Sequence, residues 1–388
     1  MPGFELVGEE EQKAVNNLFD DGGILFAHGF DNRRSGRYHV REFEKQFAKY
    51  LGVKYAQAVS SGTAALKVAL VALGVKRGDE VITQSFTFVA VAEAIIDIGA
   101  KPVFINIDET LNMDPNELEA AITDRTAAII PVHMLGVSAE QDKIHKIAKK
   151  HKLPILDDAC ESLGAEWGSE KLGAQADIAT WSFDGGKTIT AGEGGMITTN
   201  SKELYLLAKE YHDHGHTNNP DFPRGRDTHR IWGFNYRMTE IQAVIAKVQL
   251  AKLDYIVKKN RQNYSILEAM LAGIKGVKLR KIPDKSKSLC DTLIIQLDNK
   301  DLADKLVSMM KDEGLGTKNV PDAIQWHFAK YWDHMLHKME LSKNELQYSL
   351  EISSKKLECC VAFPIMVKTT ESEMHSQSKI IKEIIESL

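Results

Sequence analysis

Leu156-Asp157-Asp158-Ala159-Cys160-Glu161-Ser162-Leu163-Gly164, followed by Ala176 to Gly195 (ADIATWSFDGGKTITAGEGG), is the stretch on which the reading of this chain turns. Pro154-Ile155-Leu156 is an apolar run of the kind that forms a buried parallel strand, and the acidic pair Asp157-Asp158 stands at its carboxyl end. Thr180 to Phe183 is a second β-prone run, stopped by Asp184-Gly185-Gly186, so Lys187 is presented at a strand end on a turn. Carboxyl strand ends are where open α/β sheets bind ligands.

A lysine presented there and partly desolvated keeps its neutral amine accessible and can form a Schiff base with an aldehyde cofactor. A carboxylate beside it can keep a pyridine nitrogen protonated, which lets the ring act as an electron sink. Either Asp157 or Asp158 can serve. Taken singly, the lysine is an ordinary solvated turn residue and the aspartate an ordinary helix cap. Their order and spacing make the stretch a candidate pyridoxal phosphate site.

The rest of the chain bounds the reading. Its 388 residues, 43% of them hydrophobic, suffice for a large domain and a smaller one. A formal net charge of -5 argues against a nucleic-acid binder. Cys160, Cys290, Cys359 and Cys360 show neither metal-ligand nor disulfide-framework spacing, so reduced thiols and no metal are expected. The opening MPGFELVGEEEQ has no basic region followed by an apolar one, and no apolar run is long enough to span a bilayer. A soluble cytoplasmic protein without membrane or nucleic-acid partners is the expectation.

Glu9 to Phe19 reads as an acidic amphipathic helix ended by Asp21-Gly22-Gly23. A loop follows that carries Arg33, Arg34 and Arg37, whose guanidinium forks match carboxylates. Val40 to Leu51 reads as a helix with Phe43, Phe47 and Leu51 on one face. Tyr55 to Val59 reads as a strand that Ser60-Ser61-Gly62-Thr63 turns into a helix. Such a turn offers free N–H groups and a positive dipole end to a phosphate, although Ser-Gly-Thr is also an ordinary N-cap.

Strand and helix then alternate: Pro102 to Ile107, Pro115 to Ala121, Ala127 to Val132, Ser138 to His151 and Pro154 to Leu156. The pattern implies a parallel sheet with helices on both faces. His133, just past a strand, is a candidate pocket residue. Leu204 to His212 reads as a helix, and a polar loop after it carries His216, Arg224 and Arg226. Further on come a helix Ile241 to Leu253, a long helix crossing near Asp254 to Lys259, a strand Asp291 to Leu297, and helices Asp301 to Glu313 and Ser376 to Ile385. The expected division is 1–255, an arm and a large cofactor-binding domain, and 256–388, a small C-terminal domain.

Asp-Ala-Cys-Glu-Ser-Leu-Gly-Ala (158–165), Ser-Phe-x-x-x-Lys-Thr-Ile-Thr-x-Gly-Glu-Gly-Gly (182–195) and Ser-Gly-Thr-Ala-Ala-Leu (61–66) resemble the DegT/DnrJ/StrS family of pyridoxal-phosphate-dependent sugar aminotransferases. The resemblance runs over nearly the whole chain. It implies an α/β fold of the PLP-dependent transferase fold type I (aspartate aminotransferase-like), with a large mostly parallel-sheet domain and a smaller C-terminal α/β domain. It implies that Lys187 carries the cofactor, that Asp158 partners the pyridine nitrogen, that Phe88 stacks on the ring, and that Gly62, Thr63 and Ser182 hold the phosphate. Glu161 stands where many relatives carry a glutamine beside the cofactor, a departure that alters the local hydrogen bonding. Asn235, in Gly-x-Asn-x-Arg, would complete the neighbouring subunit's site in a homodimer, and His327 would line the mouth.

Transamination is the implied chemistry, because some relatives that dehydrate sugars replace the lysine by histidine. Glutamate is the implied donor and a carbonyl sugar the acceptor. The opening Met-Pro-Gly-Phe-Glu-Leu, the 33–37 loop, Ser182-Phe183-Asp184, Asp213-His214-Gly215-His216 and Trp326-His327 are similar to a subgroup that aminates the C8 aldehyde of 8-oxo-3-deoxy-manno-octulosonate to give 8-amino-Kdo for lipopolysaccharide. That substrate carries a carboxylate, for which Arg33, Arg34, Arg37, Arg224 and Arg226 are the candidates. The alternatives are a nucleotide-linked 3- or 4-keto-hexose as acceptor, and a non-catalytic regulator that binds the cofactor without turnover.

Overall fold

A computed structural model describes residues 2–34, 36–219 and 221–388. Ser35 of the arginine loop, Pro220 of the polar loop and Met1 of the opening lie outside the described residues. In chain order the main elements are helices α1 (Glu9–Asp20) and α2 (His39–Leu51), strand β1 (Tyr55–Val59), α3 (Gly62–Ala72), β2 (Glu80–Gln84), α4 (Ala90–Asp97), β3 (Lys101–Ile105), β4 (Thr126–Ile130), α5 (Gln141–His151), β5 (Leu156–Asp158), β6 (Ile178–Ser182), β7 (Gly195–Thr199), α6 (Lys202–Tyr211) and α7 (Glu240–Leu271). β8 (Thr292–Gln296), α8 (Lys300–Asp312), β9 (Cys360–Pro364) and α9 (Glu371–Glu386) follow.

The seven strands of the first part line up as β1-β7-β6-β5 and β4-β2-β3. Bridges from Ile129 to Ile155 and from Val132 to Asp158 join the two groups at β4 and β5. The β5–β6, β2–β3 and β2–β4 pairs are parallel, whereas β7 runs antiparallel to both its neighbours. Covered on both faces, the inner strands lose their polar alternation, and every residue of β2 and β7 is buried. On α2, Phe43 and Phe47 meet the ring of Phe183 edge-on at 5.2 and 5.5 Å. Each such aromatic pair contributes about 1 kcal/mol beyond the area it buries, and here the pairs anchor the backbone between Ser182 and Asp184.

The strand and helix types agree with the reading from sequence, but several boundaries move. Asp157 and Asp158 lie inside β5 rather than beyond it, because Asp158 donates its N–H to Pro131 O and accepts from His133 N, both at 3.0 Å. α5 begins at Gln141, not Ser138, since Ala139 N is drawn to His133 Nδ1 at 3.2 Å. α9 begins at Glu371, where Thr370 and Glu373 form a capping box. β9 had no counterpart in the reading, yet it pairs along its whole length with β8.

α7 is one continuous 32-residue helix and carries the chain through positions 255 and 256 without a break. Its C-terminal half joins β8, β9, α8 and α9 around a separate apolar core that includes Leu267, Leu293, Leu306 and Ile381. At the other end of the chain, Gly3 N donates to Lys187 O at 3.1 Å, and Glu5 accepts from Val367 N at 2.9 Å. The N-terminal arm therefore braces the turn that carries Lys187.

Candidate active site

Where β1 gives way to α3, Ser61 caps the helix, its Oγ accepting from Ala64 N at 3.1 Å. The turn is pressed onto the ends of β6 and β7. A Cβ at Gly62 would stand 2.8 Å from Ser182 Cβ, and one at Gly195 would stand 2.2 Å from Ser61 O. Only glycine permits that approach, which leaves the first N–H groups of α3 facing a cavity of about 430 Å³. Gly62, Thr63, Phe88, Asp158, Glu161, Ser182, Lys187 and His327 all line this cavity.

The pleat separates the two aspartates. Successive residues of a strand point to opposite faces, so Asp158 lines the cavity while Asp157 points behind it. Asp157 Oδ1 lies 3.4 Å from His133 Nε2. His133 Nδ1 accepts from Ala139 N, so its proton sits on Nε2 and faces Asp157. His133 is wholly buried and supports the strand ends, a correction to its expected place in the pocket. Asp158 accepts from Cys160 N at 3.1 Å, and burial pushes its carboxyl above the usual range. A cation brought against it relieves that burial.

Lys187 is held by its own turn, with its N–H on Asp184 O at 3.0 Å and Gly186 N on Asp184 Oδ2 at 2.9 Å. Its Nζ lies 3.3 Å from Glu161 Oε1 and 5.9 Å from the centre of the Phe88 ring. His327 Nε2 approaches the same Glu161 oxygen at 3.9 Å, and its ring lies 5.3 Å from that of Phe88. Burial alone would lower the ammonium of Lys187, yet Glu161, with Cys160 and Asp158, raises it above its ordinary value. In return Lys187, His327 and Lys318 overcome the burial of Glu161 and hold its carboxyl down at about 2. The Lys187 shift thus runs opposite to the one burial alone would give, because the carboxylate 3.3 Å away outweighs desolvation.

The five arginines fare differently. Arg34 is buried, donates to the main-chain oxygens of Phe26, His28 and Gly29, and lies 3.7 Å from Glu240. Arg224 grips Asp213 with two nitrogens at 2.5 and 2.7 Å. Both are occupied within the fold, a correction to their expected role toward substrate. Arg37 pairs with Asp21 at the surface. Arg33 and Arg226 are exposed and have no acid partner among the described residues. His216 faces Asp227 at 3.2 Å. Asn235 is exposed and stands away from this chain's own cavity.

The reading from sequence missed Asp291, Lys318 and Asn319, which reach the cavity from the second part of the chain. Lys318 Nζ lies 2.6 Å from Asp291 Oδ2. No local motif marks them, because they converge only when β8 and the segment after α8 fold back over the strand ends. Among the described residues no cluster of acids, histidines or cysteines is arranged to hold a metal, and no helix is long and apolar enough to cross a membrane.

The donor set matches a phosphorylated pyridine aldehyde in each part. It offers a glycine-tight helix start for the phosphate, a buried acid at the far wall for a ring nitrogen, an aromatic ring for a flat face, and an amine beside it. A model of the DegT/DnrJ/EryC1/StrS aminotransferase family matches residues 26–383. The GDP-perosamine synthase of Caulobacter vibrioides is 47% identical over 220 residues, 56% of this chain and 58% of that protein, so this match spans little more than half of the relative. The spore coat polysaccharide biosynthesis protein SpsC of Bacillus subtilis is 30% identical over 389 residues, 98% of this chain and 95% of that protein. The crystal structure of 3-amino-5-hydroxybenzoic acid synthase is similar with a TM-score of 0.87 at 28% identity, covering 100% of this chain and 99% of that one.

Proposed function

This chain belongs to the DegT/DnrJ/EryC1/StrS aminotransferase family, and from that premise we propose that it is a pyridoxal-phosphate-dependent sugar aminotransferase that moves an amino group from glutamate to the C8 aldehyde of 8-oxo-3-deoxy-manno-octulosonate. When bound, pyridoxal phosphate supplies an aldehyde that takes up the donor's amino group and a protonated ring that spreads the charge left when the donor loses its α-proton. The chain does the rest. The α3 turn, through Gly62 and Thr63, and Ser182 bind the phosphate; Asp158 holds the proton on the ring nitrogen; Phe88 covers one ring face. Lys187 removes a proton at the donor Cα and delivers one at the acceptor carbon, after giving up its own resting proton.

The observation that carries the acceptor is that three of the five distinguishing segments, the opening, 182–184 and 326–327, meet at one lysine. Gly3 of the opening braces Lys187 from behind, Asp184 holds its turn, and His327 shares its carboxylate. Arg33 and Arg226, which have no acid partner among the described residues and do not line this chain's own cavity, are the candidates for the octulosonate carboxylate, with Arg226 reaching it across the dimer. The same proposal includes a homodimer in which Asn235 reaches the neighbour's phosphate, a cytoplasmic site of action, and the division 1–255 and 256–388 with α7 shared by both parts. A nucleotide-linked 3- or 4-keto-hexose is the second reading, favoured by the 47% identity to a GDP-perosamine synthase.

Incubating the holoenzyme with ¹⁵N-glutamate and each acceptor in turn, with products followed by mass spectrometry, tests the choice. The expected outcome is labelled 8-amino-octulosonate together with an equal amount of 2-oxoglutarate. Labelled product from GDP-4-keto-6-deoxymannose alone selects the second reading. Arg33→Ala or Arg226→Ala should raise KM for the octulosonate about tenfold or more, as losing a charge-assisted hydrogen bond does. An unchanged KM in both variants removes the arginine clamp.

A further inference from the structure

Lys187 is surrounded by several acids, but its amine has one carboxylate within ion-pair distance among the described residues. Asp158, although in the same cavity, spends Oδ1 on Cys160 N. Asp291 is taken by Lys318. Asp184 caps the turn through Gly186 N, and Glu193 lies at the rim. Glu161 alone faces the amine, at 3.3 Å.

Glu161 is itself a built feature. Its second oxygen accepts from Leu135 N at 3.1 Å. Leu135 holds a left-handed backbone, φ 52°, a conformation that a side-chain-bearing residue adopts only where surroundings enforce it. The carboxylate is thus fixed by the loop after β4, with its remaining oxygen aimed between Lys187 and His327. It is nearly buried, at 13% side-chain exposure, so solvent screens the pair little.

We propose that Glu161 is the counter-ion of Lys187: it holds the amine as an ammonium in the cofactor-free protein and so sets the pH above which the neutral amine becomes available. The titratable groups that face this pair are Asp158 and Cys160 from the end of β5, His327 from the helical turn Ile324–His327, Lys318 with Asp291 from the second part of the chain, and Asp184 and Glu193 beside Lys187. Glu161 is a positioning residue in this role, acting on Lys187 rather than on substrate. The significance of the device rests on the aminotransferase reading, in which Lys187 must lose its proton to act; the device itself does not.

Amine-labelling of the full-length cofactor-free protein with trinitrobenzenesulfonate, at pH values from 6 to 11, reads the neutral fraction of Lys187 directly by peptide mass spectrometry. The exposed Lys149 serves as an internal reference. Glu161→Gln keeps the shape and an acceptor for Leu135 N while removing the charge. Its labelling midpoint should move to lower pH by about one unit, which is about tenfold faster labelling of Lys187 on the acid side of both midpoints. Glu161→Asp keeps the charge at greater distance and should fall between the two, a test that survives if the glutamine variant fails to fold. Coincident midpoints in the native and variant proteins overturn the proposal. So does a rate raised equally at every pH, which a loosened pocket would give. The ¹⁵N transfer assay on native holoenzyme reports separately on the reaction, so each idea can fail without the other.

Discussion

His212 shows how far burial governs single side chains here. Its Nδ1–H donates to Lys209 O and its Nε2 accepts from Gln57, an arrangement open only to the neutral ring. Burial pushes it down to about 4, so the folded state prefers the neutral form. The sign follows: stability from this group is complete above the ordinary histidine value of 6.5 and is lost as pH falls from 6.5 toward 4, a loss of roughly 3 kcal/mol. Thermal unfolding should show a steep fall in Tm over that window for the native protein and a shallower one for His212→Gln; parallel curves would contradict the assignment. Glu44, pushed up to about 7 by burial, works in the opposite sense and loses its stabilisation as pH rises from 4.5 to 7. Among the site residues, the lysine, the acidic pair Asp157-Asp158 and the Ser-Gly-Thr turn were legible as local signals. Which aspartate of the pair served was not decided by the residues alone, because a pleat has two faces and the residue count does not say which one holds the cavity. The pairing of Lys187 with Glu161 was not legible either, since the two stand 26 positions apart.

Among elements, the start of α3 carries the sharpest constraint. Gly62→Ala would bring a methyl to 2.8 Å from Ser182 Cβ, forcing apart the two segments proposed to hold the phosphate. We expect the Kd for pyridoxal phosphate, followed by quenching of tryptophan fluorescence, to rise about tenfold or more, the size of a typical overpacking cost. Gly185→Ala, which meets no atom within 4 Å and needs no unusual backbone angle, should leave it unchanged. Equal Kd values for the two variants would remove the close approach as a binding determinant. Element types were readable because 3.6-residue and apolar-run patterns reflect which faces are buried, and the Thr370 to Glu373 capping box explains where α9 starts. The β9 strand was not readable: Cys360 to Pro364 is a short apolar run whose identity depends on the partner β8, 64 or more positions earlier.

For the whole molecule, the segment from Asp213 to Arg237 presents Trp232, Phe222 and Phe234, with Trp232 71% exposed, next to the exposed Asn235. Exposed aromatics of this size fit the contact surface of the proposed homodimer. Sedimentation should report twice the chain mass for the native protein. Trp232→Asp should shift it toward a single chain and lower cofactor retention with it; a variant that stays dimeric and retains cofactor would sever Asn235's segment from the site. The chain's own residues were enough to determine the strand-turn-lysine, the glycine turn and the alternation of strand and helix, because these are set by neighbours within a few positions. Only the tertiary structure decided that Arg34 and Arg224 are spent inside the fold, that His133 stands behind the pocket, and that Lys318 and Asp291 stand in it. Those roles follow from which distant partner each side chain meets, and a charge is satisfied by proximity in space, which spacing along the chain does not encode.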